Sequence, residues 1–191
     1  ISKHEYSDSK RLQLMRKIKK VLRKLAYAIN SLHEKNIVHG HLSLDNFGKF
    51  EDGFWKLSGL IGCQSSRNPI YDSHIPEAVT FNKGIPQLLD TYPASPSIDI
   101  WAFGKVIYEA LVGKPLIARD EKINVKADQE YLSIMGYWDE NNLTQVVSVV
   151  ESGNDSVAAD LITHCLCRDP QQRPNISEIL SHPFWSVPSN D

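Results

Sequence analysis

Between residues 12 and 33 the apolar side chains Leu14, Ile18, Val21, Leu25, Ala28 and Leu32 recur at spacings of three and four, joined by Met15, Leu22 and Ile29. That period places them on one stripe of an α-helix and predicts a long amphipathic element. Seven Lys and Arg residues between Arg11 and Lys24 occupy its other face. Such a face is usually left to solvent, with docking as the sharper alternative. Residues 1–10 are polar and predict a loop or a frayed helix remnant. Residues 47–57 predict a small hairpin, because Asp52-Gly53 is a strong two-residue turn signal. Residues 98–112 are apolar on nearly every side, the pattern of a helix buried at the centre of a domain. Residues 82–97 contain Gly84, Pro86, Pro93 and Pro96 and predict a loop, as do the charged residues 117–128. Residues 129–135 and 143–150 predict two further helices, and 157–167 another, capped by Ser156. Asn175 followed by Glu178 is a helix start related to the capping box. The chain is therefore expected to be mainly α with short β-hairpins.

Composition narrows this only slightly. At 191 residues, 41% of them hydrophobic, the chain suits a single domain with a real core. A net charge of -2 argues against general attraction to nucleic acid or anionic membrane. Cys63, Cys165 and Cys167 form neither a disulfide framework nor a two-pair metal spacing, and they read as ordinary thiols of a cytoplasmic protein. No apolar run reaches the about 18 residues of a membrane span, and no signal peptide opens the chain. Asn-x-Ser/Thr triplets at Asn142, Asn154 and Asn175 are read as chance. The first residue is Ile1 rather than an initiator Met, which suggests a fragment of a longer protein.

The chemistry-bearing stretch is residues 33–60. A helix ending in Leu32-His33 and an apolar turn at Ile37-Val38 lead into His39-Gly40-His41-Leu42-Ser43-Leu44-Asp45-Asn46; the hairpin and Ser58-Gly59-Leu60-Ile61 follow. The order resembles the catalytic loop of the protein kinase family, in which His-Arg-Asp-Leu-Lys-x-x-Asn precedes a hairpin and Asp-Phe-Gly. The resemblance puts His41 at the position of the catalytic Asp, Ser43 at that of the loop Lys, Asn46 on the metal-binding Asn and Gly59 at the metal-binding Asp. An imidazole can accept a proton, yet it does not supply a carboxylate's charge beside a metal. Ser43 offers no charge and Gly59 no ligand atom, so the amide oxygen of Asn46 alone makes a poor magnesium site. Gly40 lacks the Arg that pairs with a phosphorylated activation segment in kinases switched on that way. Gly48 falls where a large aliphatic side chain packs beneath adenine, a contact worth about 1.5–3 kcal/mol. His39 is expected to be a buried, hydrogen-bonded core histidine, and His41 a solvated or capping residue.

Weaker tags follow in the family's order across residues 12–186. Residues 61–75 resemble an activation segment, and Ile75-Pro76-Glu77 resembles the Ala-Pro-Glu that closes it. Asp99-Ile100-Trp101 with Gly104, then Gly113-Lys114-Pro115-Leu116, resembles the central helix, whose Asp caps the catalytic-loop backbone. Asp169-Pro170 with Arg173-Pro174 resembles Asp-Pro-x-x-Arg-Pro, and His182-Pro183-Phe184-Trp185 resembles a serine/threonine-type ending. In the family that Arg pairs with the Glu, so Glu77 and Arg173 are an expected buried ion pair. No Gly-x-Gly-x-x-Gly turn and no Val-Ala-x-Lys strand occur, so the ATP-covering N-terminal lobe is not in this chain.

Positions that support the fold (His39, Leu42, Asn46, Glu77, Asp99, Trp101, Gly104, Arg173) keep the family's residues, and those serving only chemistry are replaced. The resemblance therefore implies the C-terminal lobe of a pseudokinase with no cofactor. Its partner would be a protein, either an active kinase or other domains of the same longer chain. The enzyme alternative is a divergent ATP- and magnesium-dependent serine/threonine kinase, completed by an upstream lobe, with His41 as base.

Overall fold

The computed structural model describes residues 3–60, 63–65, 95–116, 138–153 and 155–186. Helix predominates. α1 runs Lys3–His33, so the helix starts well before residue 12 and takes in most of the stretch expected to be a loop or frayed end. Its buried stripe is Leu22, Leu25, Ala26 and Ile29, with Ile18 and Val21 packed at the margin. Leu14 belongs to the predicted period but is 54% exposed, because the stripe bears on the core only along the C-terminal half of the helix.

Two small antiparallel sheets flank the loop that follows α1. β1 (Ile37–Val38) pairs with β4 (Gln64–Ser65), in the register Ile37 opposite Ser65. β2 (Phe47–Lys49) pairs with β3 (Trp55–Leu57), so that Phe47 faces Leu57 and Lys49 faces Trp55. The predicted hairpin is thus present, turning at Gly53 with φ +81°, where a residue without Cβ is favoured. Asp52 closes it by accepting from Phe54 N at 3.0 Å and from the Lys56 ammonium; the ammonium first, then the backbone bond, holds its carboxyl below the usual value.

α2 (Pro96–Val112) is the central helix, and it takes in Pro96 and Ser97 from the end of the expected loop 82–97, because proline fits the first turn of a helix. Ser95 caps its start, Pro96 fills the first turn, and Gly113 ends it in the left-handed conformation at φ 73°. Trp101, Phe103, Val106 and Ile107 are fully buried, as the all-round apolar pattern predicts. α3 (Glu140–Glu151) begins with a capping box between Asp139 and Asn142. α4 (Ser156–Cys165) is capped by Asp155, whose carboxylate accepts from Ala158 N at 2.9 Å; the cap lies one residue before the expected Ser156, and Cys167 falls past the helix end. α5 (Ile176–Leu180) opens with the expected reciprocal box, Asn175 with Glu178. α2 packs against α1 on one side and α4 on another, while α3 lies on α4 and α1 on α5.

The crossing of α2 and α4 depends on Gly104. A Cβ there would stand 2.6 Å from the Cβ of Cys165, so the helices approach too closely for any side chain at this position. Trp101 meets Trp138 edge to face at 5.6 Å, and Trp138 donates from Nε1 to Leu166 O at 2.9 Å. The resulting core is continuous from α1 through α2 to α4 and the aromatic turn Pro183–Trp185. The expected activation segment (apart from residues 63–65), the loop 82–94, the loop 117–128 and the helix 129–135 lie outside the described residues, and Glu77 with them.

Candidate functional site

The loop between β1 and β2 is held by one carboxylate. Asp99, in the first turn of α2, is fully buried. Its Oδ2 accepts from His39 N at 2.8 Å, and its Oδ1 from Gly40 N at 2.8 Å. His33, at the C-terminal end of α1, brings Nε2 to 2.9 Å from Oδ2. A buried carboxylate left unpaired costs several kcal/mol, and three partners answer that cost here. The expected capping of the loop backbone is present, and His33 is an additional member. Its sequence signal is the Leu32-His33 pair closing an amphipathic helix, which by itself marks only the end of the element.

His39 is likewise fully buried and hydrogen-bonded, as expected. His41 N donates to its Nδ1 at 3.2 Å, so that nitrogen carries no proton. Nε2 must then bear the hydrogen that it donates to Ser58 O at 2.9 Å. This neutral tautomer ties the loop to the segment after β3. Ser58 returns the tie, donating from N to Asn46 O at 2.8 Å and from Oγ to the same oxygen at 3.2 Å. Gly40, where the family carries Arg, sits at φ 73°.

Asn46 and Gly59 come together, as the resemblance requires. Asn46 Nδ2 donates to His41 O at 2.9 Å. That bond swings the carboxamide into the space beside Gly59, where an added Cβ would lie 2.9 Å from Asn46 Cγ and 3.0 Å from Oδ1. Gly59 also has φ +81°. A side chain at this position would require the Asn46 carboxamide, the far end of a flexible side chain, to shift aside, and the positive φ favours glycine, with Asn and Asp the next most tolerant residues. The donor set at this point, one amide oxygen facing a glycine, does not fit magnesium, which seeks carboxylate oxygens in near-octahedral array.

His41 is half-buried rather than solvated, and its backbone serves both His39 and Asn46. Ser43 is half-buried, and its carbonyl accepts from Asn46 N at 3.2 Å, starting the single turn Leu44–Asn46. Around Gly48 nothing lies within 4 Å of an added Cβ, so the position expected beneath adenine is open space. Beyond it a shallow groove of about 590 Å³ runs over the hairpin, lined by Lys49, Phe50, Glu51, Asp52 and Lys56.

Arg173 anchors the far side of the lobe. It is only 7% exposed and donates from Nε to Cys167 O at 2.7 Å, from Nη1 to Ser97 O at 3.0 Å and from Nη2 to Arg168 O at 3.0 Å. Burial pushes the guanidinium down to about 10, and three carbonyl acceptors favour its charged form at neutral pH. It thereby joins the Asp-Pro turn to the first turn of α2, two residues from Asp99.

Comparison with known proteins bears on this arrangement directly. The model of the protein kinase domain matches residues 3–185. This chain belongs to the protein kinase domain family. Calcium/calmodulin-dependent protein kinase type 1 of Caenorhabditis elegans is 28% identical over 174 residues, covering 87% of this chain and 45% of that protein. An Aurora kinase of Debaryomyces hansenii is 26% identical, covering 84% and 35%. A probable serine/threonine-protein kinase, mkcD of Dictyostelium discoideum, is 29% identical, covering 88% and 24%. The kinase-family chain thus spans less than half the length of these relatives. Its helical architecture is that of the kinase C-terminal lobe, and no helix among the described residues is long and apolar enough to cross a membrane.

Proposed function

We propose that this kinase-family chain is the C-terminal lobe of a pseudokinase, which acts in the cytoplasm by binding and regulating a protein partner rather than by transferring phosphate. The partner is an active kinase or other domains of the same longer protein. One observation carries the reading: at the position resembling the metal-binding Asp stands Gly59, which has no side-chain oxygen to offer a metal, with the Asn46 carboxamide lying against it. Magnesium bridging of the phosphates is the central electrostatic element of kinase chemistry, so losing its main ligand bears more heavily than any other replacement. The open position at Gly48 removes an apolar contact to the base as well.

Thermal melting with and without magnesium-ATP tests this. Millimolar nucleotide should leave the melting temperature unchanged, since a ligand that does not bind the folded state cannot stabilise it. A magnesium-dependent rise of several degrees in the parent chain would overturn the proposal. It would favour a divergent serine/threonine kinase using His41 as base.

A further inference from the structure

The solvent face of α1 is built unlike an ordinary solvated helix. Residues 10–33 hold eight of the chain's 21 Lys and Arg and none of its 23 Asp and Glu. Lys17, Lys20, Arg23 and Lys24 are exposed and form no ion pair with any described residue. Lys17 and Lys20, Lys20 and Arg23, and Lys20 and Lys24 stand three or four positions apart, where like charges repel. Surface helices usually relieve such pairs with interspersed acids, and this one does not. Large apolar groups border the cations: Tyr27 is 52% exposed with the Arg23 guanidinium 5.9 Å from its ring centre, and Leu12 is also 52% exposed.

Resting on the reading of the lobe as an interaction module, we infer that this face docks an acidic segment of a partner protein. The segment is about four helical turns long, with carboxylates spaced to meet Lys17, Lys20 and Arg23 and apolar anchors for Leu12 and Tyr27. Charge complementarity fixes the occupant's sign, and the rest of the chain fixes its size. Outside residues 10–33 there are 13 Lys and Arg against 23 Asp and Glu, so the basic stripe is a local pole on an acidic body. A duplex or a bilayer extends beyond the stripe and meets that acidic body, whereas a short segment does not. The exposed aromatic and aliphatic rim likewise suits a peptide side chain better than a phosphate backbone.

The test uses the 191-residue chain and a fluorescein-labelled synthetic helix of about four turns, with Glu on one face and a Leu near each end. Fluorescence anisotropy should show salt-sensitive binding that drops about tenfold or more when Lys17, Lys20 and Arg23 are all changed to Glu. The milder triple change to Gln, which introduces no new charge, should give an intermediate loss and guards against misfolding of the reversed variant. Changing Lys49 and Lys114 to Glu should leave binding as it was. Equal affinity of parent and triple variants, no binding at all, or tighter association with phosphatidylserine vesicles or duplex DNA than with the peptide would overturn the inference. Melting the same preparations with magnesium-ATP keeps the two ideas apart: a nucleotide shift sinks the pseudokinase reading and leaves the docking face standing.

Discussion

Arg173 and His41 separate two kinds of residue in this lobe. Arg173 satisfies three backbone carbonyls from a position 7% exposed, while the half-buried His41 meets His39 and Asn46 through its backbone. Truncating the arginine leaves those carbonyls without their donors, at an expected cost of about 1–3 kcal/mol for each acceptor left buried and unsatisfied, a large part of the roughly 5–15 that hold a domain folded. Arg173→Ala should therefore lower the urea midpoint severely, whereas His41→Ala should move it by less than about 1 kcal/mol. Equal midpoints for the two variants would show that Arg173 does not anchor the lobe. Loss of a phosphotransfer activity in the His41 variant would instead restore the enzyme reading. The residue identities needed for this contrast are legible in the sequence, but the partners are not. Sequence resemblance points to Glu77, which lies outside the described residues, and gives no hint of the carbonyls of Cys167, Ser97 and Arg168. Backbone acceptors carry no residue-type signature, so no pattern of side chains announces them.

At the scale of elements, the contact between α2 and α4 makes the sharpest claim. Replacing Gly104 by alanine gains up to about 1 kcal/mol of helix propensity. It also drives a Cβ to within 2.6 Å of the Cβ of Cys165, an atom fixed to its own helix rather than the end of a flexible chain. Overpacking of that kind costs about 1–3 kcal/mol, so the steric term wins and Gly104→Ala should denature at lower urea than the parent. A rise in midpoint would mean that the helices are free to part. Periodicity anticipates α2 well because a helix buried all round has an unmistakable apolar composition. It anticipates α1 less well at the start: polarity in residues 3–11 says nothing against helix, only against burial, and the element continues past its core-facing half. The cap of α4 falls one residue from its expected place because Asp155 and Ser156 are both good caps and only the helix path chooses between them. The amide that fills the space at Gly59 is invisible in the sequence for a similar reason: which way Asn46 swings depends on the path of the His41 carbonyl.

For the molecule as a whole, alkaline pH probes the integrity of the core. Burial pushes the Cys165 thiol up to about 12; burial, and then the Asp99 carboxylate, push Cys63 up to about 11. Both start from an ordinary value of 9.0. Above pH 9 the unfolded chain gives up these protons while the folded chain keeps them, so stability present below that point falls as pH rises toward 12. For Cys165 the full swing is about 4 kcal/mol. Urea midpoints measured from pH 8 to pH 10 should decline in the parent chain and decline less steeply in Cys165→Ala. Parallel declines would show that the thiol is not held in its protonated form by the fold. Contacts outside the core extend the hold on α1 from Arg11 to His33. Arg11 donates to Gly153 O at 2.6 Å, Lys19 stands 3.7 Å from Asp155 and 4.4 Å above the Phe184 ring, and His33 ends against Asp99. A helix fastened near both ends has already lost its conformational freedom before any partner arrives. Whatever binds its outer face meets a rigid template and bears only its own ordering cost, which favours fast, selective recognition of short flexible segments over slow mutual folding.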